Sequence, residues 1–155
     1  MDEKEYRTAY KDLNARPCVF EKAMLARCAG CSQVNKVNIA VREAMGCGTD
    51  AAQADCALFK SLLKQNARFV LQLNDLNQPL PHAKDLRMQC GGLAGLRELM
   101  THPSREPHLP ENDVRAWVVA ASHWYGGLNA LPYQEIVRQI ARFKGRARKR
   151  GRTED

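Results

Sequence analysis

A chain of 155 residues that is 45% hydrophobic and 26% charged buries about 70% of its unfolded surface when it folds, so a hydrophobic core is expected without disulfides or metals as general props. No apolar run approaches the roughly 18 residues of a membrane span, and the charged start Met1-Asp2-Glu3-Lys4-Glu5 lacks the apolar segment of a signal peptide; these exclude a membrane protein and lead us to expect a cytoplasmic one. The net charge of +7 is local, because residues 142 to 155 carry +5 of it and the other 141 residues only +2.

In chain order, apolar spacings of three and four dominate, which is the period of helices. A short first helix is expected over Val19–Ala26, after Pro17. Val34, Val37, Val41, Ala44 and Met45 mark a second, ended by Gly46. The third begins at Asp50, which forms a possible capping box with Gln53, and lines one face with Cys56, Phe59, Leu63, Ala67, Val70 and Leu71. Pro79 and Pro81 place a loop at 75–85. Gly91-Gly92 interrupts the next segment, and a fourth helix follows over Leu93–Met100. Val114, Trp117, Val118, Ala121, Trp124 and Tyr125 form a fifth stripe, with Gly126 as its C-terminal stop. Pro132 suits the first turn of a sixth, with the face Tyr133, Ile136, Val137, Ile140 and Phe143.

The expected fold is therefore all-α, a small irregular bundle of about six helices. Its organisation reads as a cysteine-rich helical module at 1–74, a connection at 75–90, a helical C-terminal half at 91–145 and a basic tail at 146–155.

Chemistry concentrates at the cysteines. Cys18, Cys28, Cys31, Cys47 and Cys56 fall within 39 residues, and Cys90 stands apart as an ordinary core thiol. In a reducing compartment six cysteines are ligands, redox groups or buried hydrophobes rather than a disulfide framework. Thiolates select zinc and iron–sulfur clusters. Cys28-Ala29-Gly30-Cys31 has the spacing of a chelating pair, and Cys47 lies between Gly46 and Gly48, where backbone can approach a cluster. One such pair is less than the two of a zinc ribbon, and the spacing is not that of ferredoxins. Cys56 also suits the apolar face of its helix. A single centre faces a geometric obstacle: a straight helix over residues 33 to 45 would hold its ends about 20 Å apart, so one centre requires short or broken helices between Cys31 and Cys47.

Other motifs carry less. Gly91-Gly92-Leu93-Ala94-Gly95 lacks the order of a phosphate loop and reads as a turn or a close helix contact. His82, His102 and His108 lie in proline-containing loops, His123 near a helix end, and none belongs to a catalytic motif. Lys144, Arg146, Arg148, Lys149, Arg150 and Arg152 suit an acidic partner or the phosphates of a nucleic acid.

The leading expectation is a small metal-binding protein holding an iron–sulfur cluster, or zinc, on Cys18, Cys28, Cys31, Cys47 and Cys56. Its role would be electron transfer, or service as an accessory or sensor subunit in a larger complex. The alternatives are a nucleic-acid-associated module with structural zinc and a phosphate-gripping tail, and a metal-free helical interaction domain.

Overall fold

The computed structural model describes residues 2–144. Within them lie helices α1 (Glu3–Leu13), α2 (Glu21–Leu25), α3 (Asp50–Asn66), α4 (His82–Met100), α5 (Val114–Tyr125) and α6 (Tyr133–Arg142). Strands β1 (Val34–Ile39) and β2 (Arg42–Cys47) sit between α2 and α3, and a 3₁₀ turn at Leu128–Ala130 precedes α6. The protein is mostly helical but not all-α. Among the described residues no helix is long and apolar enough to cross a membrane.

The hairpin replaces the helix expected around Val34–Met45. β1 and β2 pair antiparallel, from Val34 opposite Cys47 to Ile39 opposite Arg42. Valines at 34, 37 and 41 imitate a helical stripe, yet Val34, Val37 and Ile39 are β-branched and favour the pleated backbone. The two-residue loop Ala40-Val41 carries none of the Asn or Gly that usually announces such a turn; Ala40 takes the left-handed φ of 57° itself, and Val41 is left 98% exposed.

The N-terminal segment also forms a helix that the apolar pattern did not announce. Asp2 accepts from the Glu5 amide at 2.8 Å, and Glu5 reaches back to the Asp2 amide at 3.1 Å, a complete capping box. α1 buries no residue and rests against the hairpin, where the Arg42 guanidinium lies 3.5 Å from the centre of the Tyr6 ring.

α3 is capped one residue earlier than expected, by Thr49, whose hydroxyl accepts from the Ala52 amide at 3.1 Å. Thr49 rather than Asp50 is the cap. Phe59 and Leu63 are fully buried, and the stripe continues past the helix end through Ala67 and Leu71. α5 and α6 follow their expected stripes, with Gly126 at φ 81° closing α5. Trp124 departs from its stripe and is 56% exposed.

α4 is where glycine misleads. The helix begins at His82, inside the expected connection, and runs unbroken through Gly91, Gly92 and Gly95. These glycines form a contact surface. A Cβ on Gly91 would stand 2.6 Å from the Ile140 Cα, one on Gly92 2.6 Å from Leu63 Cδ1, and one on Gly95 2.8 Å from the Ile136 carbonyl oxygen. α6 therefore packs backbone to backbone on α4, and the burial gained outweighs the roughly 1 kcal/mol helix penalty of each glycine. One hydrophobic cluster joins Phe20, Met24 and Met45 to Leu93, Trp117 and Ile136, so both halves of the chain share a core.

A polar clamp fixes the start of α4. Asp85 pairs with Lys22 of α2 at 2.9 Å and Lys60 of α3 at 3.5 Å, and accepts from Gln89 Nε2 at 3.1 Å. Gln89, itself buried, accepts from the Ala23 amide at 3.1 Å. Burial alone would raise the Asp85 pKa, but Lys22, Lys60 and Gln89 outweigh it and hold the carboxyl below its ordinary 3.8.

Two outcomes are expected. Gly95→Ala should cost about 2 kcal/mol in urea unfolding, since overpacking in a tight contact exceeds the helix propensity gained; unchanged stability would mean that α4 and α6 can move apart freely. Asp85→Asn should cost about 1–2 kcal/mol. Because the folded pKa is depressed, that loss is fully present above the ordinary aspartate value and vanishes as pH falls through the lower folded value. Denaturation curves of the two proteins that fail to converge in acid would contradict this assignment.

Candidate metal centre

The hairpin removes the obstacle between Cys31 and Cys47. Cys47 ends β2 opposite Val34, and the Val34 amide donates to the Cys31 carbonyl at 3.3 Å. A third backbone line flanks β2 on its other side. The Cys18 amide donates to the Met45 carbonyl at 2.9 Å and the Cys47 amide to the Arg16 carbonyl at 2.7 Å, with Pro17 bridged to Gly46. Gly46 is required there, since a Cβ would stand 2.7 Å from Asn14 Oδ1.

The fourth segment is α3. Gln53 Nε2 donates to the Pro17 carbonyl at 2.8 Å, which seats the first turns of α3 on this backbone and carries Cys56, one turn further on, to the same place. Arg16 adds a tie, donating to the Cys47 carbonyl at 3.0 Å and to Asp50 Oδ1 at 2.7 Å.

The result is one apolar cavity of about 20 Å³ whose wall contains Cys18, Cys31, Cys47 and Cys56, the four free cysteines of the described residues. At that size it holds little more than a water-sized sphere. Phe20, Met24, Val34 and Val114 complete much of the wall, and Arg115 is its one charged side chain. Among the described residues, no group of three or more His, Cys, Asp or Glu side chains is arranged to hold a metal ion as it stands.

Burial governs the thiols. It pushes Cys18 up to about 11 and Cys56 up to about 12, and raises Cys31 as well; the proximity of the other thiols adds to the rise in all three. Backbone amides work the other way. The Gln33 amide donates to Cys31 Sγ at 3.4 Å, and amides of Phe20 and Arg115 favour the thiolates of Cys18 and Cys31. Cys47 Sγ turns towards the Thr49 carbonyl at 3.4 Å. At neutral pH Cys18, Cys31 and Cys56 are therefore neutral thiols that a cation must deprotonate to bind.

Of the five cysteines expected to act together, the structure brings together four. Cys28 is instead joined to Cys90 of α4, so Cys90 is not a plain core thiol, and Cys28 and Cys31 do not act as a chelating pair. Cys28 follows Arg27, which has a left-handed φ of 61°. Gly30 is pinned between the Asn112 side chain, which accepts from its amide at 2.7 Å, and the Val114 amide, which donates to its carbonyl at 2.9 Å. The chain thus delivers one sulfur to each side. In the expected basic patch, Lys144 is exposed, and Arg146, Arg148, Lys149, Arg150 and Arg152 lie outside the described residues.

Arg115 and its partner Asp55 went unread in the sequence. Arg115 was hidden inside an apolar stripe, and no motif marks it.

Compared with protein-family models, with curated proteins and with solved structures, the chain matches none.

The partition of sulfurs is open to direct test. Digestion without reductant after blocking with iodoacetamide should yield a linked Cys28–Cys90 peptide, with Cys18, Cys31, Cys47 and Cys56 alkylated once unfolded. A Cys28–Cys31 link would overturn the partition.

Proposed function

We propose that the protein holds a thiolate-ligated iron–sulfur centre on Cys18, Cys31, Cys47 and Cys56 and serves in electron transfer or as a sensor subunit of a larger complex. The observation that carries this reading is the meeting of four thiols, from four separate segments, in the wall of a single apolar cavity. Cysteines used only as small hydrophobes have no reason to line one shared cavity.

One feature favours a cluster over a lone ion. The wall is apolar and supplies backbone amides to Cys31 and Cys18, which are the levers that set cluster potentials. Beyond the thiols and Arg115 the cavity is lined by no titratable side chain, so its surroundings suit electron carriage better than acid–base chemistry. Zinc is the second reading. It is favoured by the small cavity, which one ion would fill if the sulfurs drew inwards.

Anaerobic purification followed by an absorption spectrum and metal analysis tests the reading. The expected protein is brown, with iron and acid-labile sulfide, and loses its colour in Cys18→Ser, Cys31→Ser or Cys56→Ser. Cys28→Ser should keep the centre. Metal uptake should weaken as pH falls, because protons compete for the buried thiols. Stoichiometric zinc without iron would select the second reading, and neither metal under reconstitution with ferrous iron and sulfide or with zinc would overturn both.

A further inference from the structure

Building on the thiolate centre, we infer that Arg115 is its charge-compensating residue and that Asp55 sets how much of that charge the centre feels. An occupied four-thiolate site carries net negative charge, whether it holds zinc or a cluster. An apolar wall offers it no solvation, and an uncompensated charge in such surroundings is costly. Arg115 is the one charged side chain lining the cavity. It is the second residue of α5, so the same residue brings an amide to Cys31 and a guanidinium towards the Cys56 side.

The guanidinium is not free. Its Nη1 donates to Asp55 Oδ2 at 2.8 Å, with the Arg115 side chain 23% exposed and the Asp55 side chain 48% exposed. Asp55 directly precedes Cys56 on α3. It holds the guanidinium in position while cancelling part of its field. Arg16, the other arginine nearby, is spent on the Cys47 carbonyl and Asp50 and does not line the cavity.

Charge compensation and simple tethering of α5 to α3 predict opposite patterns. If Arg115 compensates charge, removing it and removing Asp55 move the centre in opposite directions. If the pair only ties two helices together, both changes loosen the site alike. The experiment loads the full-length protein anaerobically with ferrous iron and sulfide, or with zinc, and follows metal loss to excess EDTA. Arg115→Gln should lose metal about tenfold faster than the unaltered protein, Arg115→Lys should recover most of the difference, and Asp55→Asn should lose metal more slowly. With a cluster, the midpoint potential should fall in Arg115→Gln and rise in Asp55→Asn.

Faster loss in both Arg115→Gln and Asp55→Asn, with no rescue by Lys and equal drops in melting temperature, would overturn the inference and leave the thiolate centre standing. Failure of the unaltered protein to take up either metal would overturn the centre itself and this inference with it. Asp55→Asn keeps the test decisive if Arg115→Gln does not fold, because only a charge role predicts a gain in retention.

Discussion

The structure turns on backbone pairing at the end of β2. Met45, Gly46 and Cys47 pair on one edge with β1 and on the other with the segment Arg16–Cys18. These hydrogen bonds are individually modest, about 1 kcal/mol net, but they fix register, and a one-residue slip in a strand sends each side chain to the opposite face. Register here decides whether the sulfurs of Cys18, Cys31 and Cys47 share one side. Side chains reinforce it: Glu21 accepts the Met45 amide at 2.7 Å and the Tyr10 hydroxyl at 2.9 Å, and the Asn14 amide group donates to the Met45 carbonyl at 3.0 Å. α1, α2 and the hairpin are thereby locked to each other through Met45.

This arrangement explains the position of the remaining elements. With the hairpin set, α3 must start close beside it, and Thr49 and Gln53 serve as cap and strut. α5 then closes the cavity from the far side, anchored where Asp113 accepts the Ser32 amide at 2.9 Å and Arg115 meets Asp55. Buried hydrophobic residues come in similar measure from both halves of the chain, while the cysteine-lined cavity sits beside the small strand motif. A site built from non-local segments has a cost in loop-closure entropy, which the glycine-lined contact of α4 with α6 and the clamp at Asp85 help to offset.

Where sequence and structure agree, the local pattern and the tertiary environment ask for the same thing. The stripe of α6 and the Gly126 stop of α5 are of this kind. Where they part, a partner remote in sequence decides. Residues 34–45 carry valines at helical spacing, and the strand form gains pairing both within the hairpin and with the edge offered by residues 16–18. Gly91 and Gly92 read as a break because their reason, the backbone of Ile140 and the side chain of Leu63, lies outside any local window. The clustering of cysteines was visible at once, and it named Cys18, Cys31, Cys47 and Cys56. It also named Cys28, because the chain between two close cysteines is invisible to a spacing rule.

The divergence of Cys28 and Cys31 shows what such a rule assumes. Two cysteines separated by two residues chelate one ion when the intervening backbone curls around it, leaving its amides pointed at the sulfurs. Here that backbone is already committed. The Gly30 amide and carbonyl are bonded to Asn112 and Val114, and a side chain on Gly30 would meet Asn112 Nδ2 at 2.8 Å. Cys28 then lies against α4 and finds Cys90, while Cys31 lies against the N-terminus of α5 and finds the cavity. Cys31 instead shares a cavity wall with Cys47, sixteen residues on in sequence and brought near by the base of a hairpin; the short spacing places one cysteine in each of two separate environments.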